Sequence, residues 1–357
     1  MAENIADFRK EIDRIDDAIL AQLLRRAQIA KKIGSIKAKS GSDIYSSSRE
    51  SLILQQILSQ VKEPLAIEDV ESIFQEILNA CRNIQRQLRL AYLGPEATFT
   101  HQVALKHFGK SANMSAQKSI REVFTEVEKG RADYGVVPIE NSTEGVVNHT
   151  LDMFLESDLK ICAEREEKIS HYLLSASGQI GKIKKVISHP QALAQCRNWI
   201  SSHLPKAELC EVSSTAEAAS QAALDETAAA IASKLAAQIY QLKVAAASIE
   251  DFQENYTRFL IIGNPISAPC GKDKTSILFS VKDRVGALND ILLTFKKAKI
   301  NLTKIESRPS KKKVWEYVFF VDFLGHAEDK PVQGALTELQ KSCQTLKILG
   351  SYPRSEA

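Results

Sequence analysis

Between Ile5 and about Lys37 the apolar residues Ile5, Phe8, Ile12, Ile15, Ile19 and Leu23 recur every three or four positions, with no proline and no glycine before Gly34. This periodicity predicts one long helix. A run of roughly 33 residues would extend about 50 Å, more than the width of a small compact domain. Such a helix needs partners along its whole length, and a second copy of the chain is the expected supplier. A second helix is expected from about Ser48 to Val61. Pro64 then breaks the chain, and Ile67, Val70, Ile73, Ile77, Cys81, Ile84 and Leu88 mark a third. The first ninety residues therefore read as all helical.

From "LRLAYLGPEATFTH" onward short apolar runs alternate with helical stretches, among them "RLAYLG", "SIREVFTEVEKG", "DYGVVPI", "KKVISHP", "QALAQCRNWI" and "KVAAASI". Alternation of this kind indicates an α/β architecture. It closes near "NYTRFLIIGN", and "PISAPCGKDK", with two prolines and a glycine, reads as a linker. Beyond it come strand "TSILFSV", helix "GALNDILLTFKKA", strands "NLTKIESR" and "VWEYVFFVDF", helix "VQGALTELQKSC" and a short strand near "LKILGSY". That β-α-β-β-α-β order is ferredoxin-like. The expected division is an all-α region 1–89, a two-lobed α/β region 90–265, a linker 266–274 and a ferredoxin-like region 275–357.

Two or three domains are expected at 357 residues. The 47 basic and 44 acidic residues nearly balance, which argues against a nucleic-acid platform but leaves cationic pockets for small anions. The one dense basic run, Lys311 to Lys313, reads as a solvated hairpin tip. The six cysteines are scattered, with no C-x-x-C pair and no histidine at ligand spacing, so reduced thiols in a cytoplasmic protein without a metal are expected. The N-terminus is charged from its third residue, unlike a signal peptide. Lys234, Gln238, Gln241 and Lys243 interrupt the alanine-rich stretch Thr227 to Ile249, so no membrane span is expected.

In "GVVPIENSTEGVVNHT", residues 135 to 150, an apolar strand empties into Glu140, Asn141, Ser142, Thr143 and Glu144. Pro138 has no N–H for a sheet ladder and is expected to end or edge the strand. The polar cluster then sits at a strand's C-terminal mouth, where open α/β sheets bind ligands. The alternative is a solvated turn capping the next helix. Ser142 with His149 or His189 lacks the G-x-S-x-G elbow of a hydrolase.

On the first helix Arg26 and Lys37 are 11 residues apart and so point within about 20° of one another. Arg9 lies about 26 Å further along the axis, out of reach of the same small ligand unless a partner chain brings it. Through "LRR", "IGSIKAK", "SRE" and the Gln after "NACRNI", this segment resembles the all-helical chorismate mutases. The resemblance implies Arg9 (from the partner chain), Arg26 and Arg49 as carboxylate binders, Lys37 and Gln85 as donors to the ether oxygen, and Glu50 as partner of the ring hydroxyl. Ser46 and Cys81 stand where some members carry Asp and Ser. Chorismate rearranges in one unimolecular step, so these residue types, which compress a dianion and stabilise charge on the breaking ether, suit the chemistry.

"AYLGPEATFTH", "VPIENSTEGVVNHT", "SHPQALAQC" and "YTRFLI", in that order, resemble prephenate dehydratase over about 175 residues, with Ala97 in place of the family's glycine. Prephenate loses CO₂ and its ring hydroxyl together, so a donor at the hydroxyl and polar anchors around it are needed. The resemblance implies Thr257 as the catalytic hydroxyl, Arg258 and Phe259 as its neighbours, and Glu140, Asn141, Ser142 and Gln191 as polar contacts. Whether Thr257, or Glu140 with a pKa raised by burial, is the effective donor stays open at the level of sequence. His189 is expected to be structural.

"DRVGALNDIL" and "NLTKIESRPS" resemble the ACT domain of phenylalanine-controlled enzymes, with Val285 where proline is usual. The resemblance implies phenylalanine as effector, bound by Gly286, Ala287, Leu288, Glu306, Ser307, Arg308 and Pro309. A helix N-terminus suits its carboxylate. Together these readings predict a bifunctional enzyme, at least a homodimer, taking chorismate through prephenate to phenylpyruvate without cofactor or metal. The alternatives are a dehydratase whose helical region serves assembly alone, and a non-catalytic amino-acid sensor.

Overall fold

The structure, a computed structural model, describes residues 4–282, 284–310 and 317–355. The Lys311–Lys313 run and residues 314–316 of one expected strand lie outside the described residues. The chain divides into two compact units, one holding the region up to Leu88 together with His107–Asn113, the other holding the rest.

In the first unit α1 (Ile5–Ser40) opens on Asn4, whose side chain accepts from the Ala6 N–H, and ends where Gly41 turns left-handed at φ 66°. Glycine tolerates that conformation without a Cβ clash. Ser46 caps α2 (Ser47–Leu58), and α3 (Ile67–Gln85) follows. Gly34 lets α1 approach α3, since a Cβ there would sit 2.7 Å from the Gln85 Cβ. Arg82 anchors the interior, donating to Asn79 and to the His107 carbonyl at 2.9 Å, with its guanidinium over the Tyr45 and Phe108 rings. The opposite stripe of α1 stays uncovered in the single chain: Ile5, Phe8, Ile12, Ile15 and Ile19 are all at least half exposed.

The second unit begins with β1 (Arg89–Leu93), α4 (Phe99–Phe108, whose last two residues belong to the first unit), β2 (Asn113–Gln117, whose first residue belongs to the first unit), α5 (Ile120–Glu128), β3 (Tyr134–Asn141), β4 (Gly145–Val146), α6 (Asn148–Glu156) and β5 (Lys160–Lys168). The chain then builds a second sheet from β6 (Tyr172–Ser175), β7 (Lys185–Ser188), β8 (Glu208–Glu211), β9 (Ala228–Ala232) and β10 (Lys243–Ala246), with α7 (Pro190–Gln195), α8 (Arg197–His203), α9 (Thr215–Ala222) and α10 (Lys234–Ile239) around it. It returns to the first sheet as β11 (Tyr256–Gly263), inserted between β3 and β5 in the order β2-β1-β3-β11-β5. The chain therefore crosses between the two lobes twice, once after β5 and once before β11. The alanine-rich stretch supplies β9, every residue of which is buried, and the small alanines of α9 pack against it. No helix among the described residues is long and apolar enough to cross a membrane.

Pro138 does not end its strand. β3 runs on to Asn141 as an interior strand, and the register with β11 shifts between Arg258 and Phe259, opposite Pro138. A bulge absorbs the missing donor. Ala97 sits fully buried at φ 70°, the left-handed region that favours the glycine it replaces.

The last part comprises β12 (Asp273–Val281), α11 (Ala287–Lys297), β13 (Leu302–Pro309), β14 (Tyr317–Leu324), α12 (Lys330–Ser342) and β15 (Cys343–Pro353), an antiparallel sheet in the order β13-β14-β12-β15. β12 starts at Asp273, inside the expected linker 266–274. Ile277, Phe279, Val321 and Phe323 face α11 and α12, whereas Leu278, Val318, Phe320, Leu349 and Tyr352 join one core with Ile139, Ile161 and Leu260 of the first sheet and Phe154 of α6. This third sheet is thus packed on the back of the first. At Gly350 the approach is so close that a Cβ would lie 2.2 Å from the Ile161 carbonyl oxygen.

Candidate active sites

In the helical unit, α1, α2 and α3 gather cations around one carboxylate. Glu50, one turn into α2, lies 3.5 Å from the Arg82 guanidinium. Burial pushes its carboxyl up, against the pull of Arg82, Lys37 and Arg26. Lys37 donates to the Ile44 carbonyl at 2.9 Å, and burial lowers its pKa below the ordinary 10.5 despite Asp43 and Glu50. Arg26 reaches the Ile77 carbonyl at 3.5 Å. Gln85 donates its Nε2 to the Cys81 carbonyl, while its buried Oε1 has no hydrogen-bond partner among the described residues. Half a turn of the amide would present Nε2 instead. Ser46 accepts from the Arg49 N–H as the helix cap, and Cys81 is buried. Arg49 and Arg9 are exposed. Arg82, Lys37 and Arg26 thus all act electrostatically on Glu50. Arg82 was missed because a buried arginine in "NACRNI" carries no periodic signal.

In the second unit the strand ends of β3 and β11 decide which side chains meet. Asn141 pairs in register with Thr257, and Glu140 with Arg258. Successive residues of a strand face opposite sides, so the two pairs point apart. On one face Asn141 Nδ2 donates to Thr257 Oγ1 at 2.8 Å and to Asn255 Oδ1 at 2.8 Å. Its Oδ1 accepts from the backbones of Thr143 and Glu144 at 3.0 Å each, fixing the turn. Asn255 Nδ2 donates to Gln195 Oε1 at 3.1 Å, and the same oxygen meets His171 Nε2 at 2.8 Å. Gln195 Nε2 also reaches Thr143 Oγ1 at 3.3 Å, joining α7 of the second sheet to the turn of the first. Burial lowers the His171 pKa, partly opposed by Gln195 and Glu250, so the ring is neutral near pH 7. Thr257, 9% exposed, accepts from Asn141 and has no acceptor for its own hydrogen among the described residues.

The opposite face carries a different set. Glu140 is ion-paired with Lys304 of β13 at 2.6 Å. Arg258 bonds Glu164 at 2.7 Å, Asp322 at 2.5 Å and Tyr352 OH at 2.9 Å. Burial works against this guanidinium, yet Asp322, Tyr352 and Glu164 more than offset it. Phe259 is fully packed. Ser142 serves the backbone, accepting from Tyr256 N–H at 2.9 Å. Gln191 is exposed, and His189 caps α7 by accepting from the Gln191 N–H. Of the residues grouped by sequence, Asn141 and Thr257 meet in the cleft, while Glu140 and Arg258 project behind the sheet. Gln195, Asn255 and His171 take the places around them. Gln195 stood inside a motif already singled out, "SHPQALAQC", and Asn255 directly precedes "YTRFLI", but only the fold aims their side chains.

In the third sheet Gly286, at φ 80°, opens α11, with Ala287 buried and Leu288 partly so. Ser307 pairs with Phe319 and so lies on the helix-side face with it. Glu306 and Arg308 pair with Phe320 and Val318, which face the first sheet. Arg308 there bonds Asn148 and, at 3.1 Å, Asp152 of α6. Pro309 ends the strand, exposed. The expected effector residues are therefore split between two faces.

Three family models match in succession: chorismate mutase type II over residues 8–86, prephenate dehydratase over 90–267 and the ACT domain over 275–340. A bifunctional chorismate mutase/prephenate dehydratase of Aquifex aeolicus is 52% identical over 357 residues, 99% of each chain. Its counterpart in Neisseria gonorrhoeae is 44% identical, over 98% of this chain and 97% of that one. The crystal structure of prephenate dehydratase from Arthrobacter aurescens in complex with L-Phe superposes with a TM-score of 0.70 at 35% identity, covering 75% of this chain and 90% of that one. With all three regions matched in order and such identity over its whole length, the chain belongs to the bifunctional chorismate mutase/prephenate dehydratase family.

Proposed function

We propose that the chain rearranges chorismate to prephenate in its helical region and converts prephenate to phenylpyruvate between the two lobes that follow. For the first step Arg26 and Arg49, with Arg9 of a second copy, hold the carboxylates. Lys37 and Gln85 donate to the ether oxygen as its C–O bond breaks and the new C–C bond forms, and Glu50 takes the ring hydroxyl. No nucleophile is needed, only compression and charge stabilisation.

In the second step the bond from the ring to its carboxylate breaks, CO₂ leaves and the electron pair enters the ring. The ring hydroxyl departs, completed to water by one proton, and the ring becomes aromatic. The observation that carries the site is the bond from Asn141 Nδ2 to Thr257 Oγ1 at 2.8 Å. Because the threonine oxygen accepts from Asn141, its own hydrogen points elsewhere, toward a leaving hydroxyl. The ion pair of Glu140 with Lys304 on the other face favours Thr257 over Glu140 as that donor. Asn255, Gln195 and neutral His171 hold the pair in place.

Phenylalanine is the proposed effector, supported by the ACT match and by the relative that binds L-Phe. The uncovered apolar stripe of α1 supports a homodimer or larger assembly, and a cytoplasmic location accords with cysteines free of disulfides. Incubating pure protein with chorismate and following prephenate and phenylpyruvate separately tests the reading. Both should appear in turn, with the second slowed by phenylalanine. A dehydratase alone would consume only added prephenate, and a sensor would consume neither.

A further inference from the structure

We propose that Lys304, carried by the ACT sheet, is a positioning residue for prephenate dehydration, acting through Glu140 on the Asn141–Thr257 pair. The proposal rests on the dehydratase reading above. Glu140 directly precedes Asn141, and its register partner Arg258 directly follows Thr257. The pair on the cleft face and the pair on the rear face are therefore adjacent rungs of one ladder. At this point β3 has already lost a ladder donor at Pro138 and passed through a bulge, so its last residues depend more on side-chain anchors.

Both strands are anchored from behind by the third sheet. Lys304 holds Glu140 at 2.6 Å, with the lysine side chain only 13% exposed. Asp322 and Tyr352 hold Arg258. The Glu140 side chain is 36% exposed, so the pair is partly screened and acts by fixing geometry more than by its strength. Four residues along β13 from Lys304 and on the same face, Arg308 bonds Asn148 and Asp152 at the start of α6. A single ACT strand thus grips both ends of the segment 140–152 that contains the Asn141–Glu144 turn. Releasing the Lys304 end frees Glu140 to swing, and with it the amide that orients the Thr257 hydroxyl.

The test compares Lys304→Met, Lys304→Arg, Glu140→Gln and the Lys304→Met/Glu140→Gln double variant in the full chain. Misplacing the donor predicts a fall in dehydratase kcat of about ten- to a hundred-fold for Lys304→Met. KM should change by less than about three-fold, since the residue does not touch substrate. Chorismate mutase turnover in the same samples should match the parent, and Lys304→Arg, which keeps the charge, should recover most of the dehydratase rate. If Lys304 works through Glu140, adding Lys304→Met to Glu140→Gln costs no more than about two-fold further. The proposal is overturned by a Lys304→Met rate close to the parent's, or by losses that multiply in the double variant. It is equally overturned by a Glu140→Gln variant far less active than Lys304→Met, because Glu140 would then be doing the chemistry itself. A parent that converts no prephenate would remove the dehydratase reading and this proposal with it.

Discussion

Lys37 and Thr257 show how far a single residue can be read. The 11-residue spacing from Arg26 already put Lys37 on one helix face with it, and both act electrostatically on Glu50. What spacing could not reveal is burial, which lowers the lysine pKa below 10.5. The reaction uses the ammonium, so raising the pH through that lowered value removes it. The mutase rate should therefore fall on the alkaline side with a midpoint below 10.5, and Lys37→Arg, whose charge persists to about pH 12 and beyond, should abolish that limb. Lys37→Ala should cost about a hundred-fold or more in mutase rate while dehydratase turnover persists, and an unchanged rate would remove Lys37 from the site. Thr257→Val keeps the side-chain shape but deletes the donor. Dehydratase rate should fall by about a hundred-fold or more, against a stability cost of only about 1 kcal/mol from the acceptor lost to Asn141. Near-parental conversion of prephenate would show that the proton comes from elsewhere.

At the level of elements, periodicity predicted the helices and most strands, and the differences have physical causes. The third helix stops at Gln85, with Leu88 fully buried just before β1. Leu88 fits a helical period by spacing, but the extended chain claims it. Pro138 is expected to end or edge its strand, yet neighbours on both sides hold β3 in place and a bulge absorbs the missing donor. Alternation along β13 also separates residues that sequence proximity joins, sending Ser307 to one face and Arg308 to the other. The close inter-sheet approach at Gly350 left no mark beyond a glycine in a strand. Gly350→Ala would drive a Cβ into the Ile161 backbone, which side-chain motion cannot relieve. Overpacking of this kind costs about 1–3 kcal/mol, so the midpoint for thermal loss of dehydratase activity should drop. An unshifted midpoint would mean that β15 and β5 tolerate a wider spacing.

For the whole molecule, the exposed stripe Ile5, Phe8, Ile12, Ile15 and Ile19 is the strongest pointer to a second copy, because water would otherwise face several large apolar side chains in a row. If two copies pair antiparallel through α1 and exchange Arg9, then Arg9→Ala and Arg26→Ala should each abolish mutase turnover, yet complement one another. Half of a randomly reassociated mixture is mixed dimer, and one of its two sites carries both native arginines, so about a quarter of the parental rate should return. A mixture as inactive as its components would place Arg9 and Arg26 in the same subunit's site, whereas parental turnover of Arg9→Ala alone would place Arg9 in none.

The sequence alone determined the helical, α/β and ferredoxin-like succession, because periodicity is a local property written in neighbouring residues. Its motifs carried the family resemblance and named the chemistry. Tertiary structure decided which side of a strand each motif residue serves, since a bulge or a change of register reverses facing without altering composition. It put Asn141 and Thr257 together, and it turned Glu140 and Arg258 toward the ACT sheet, where Lys304 and Asp322 wait 164 and 64 residues away along the chain. Contacts over such separations depend on how sheets stack, and no local pattern encodes that.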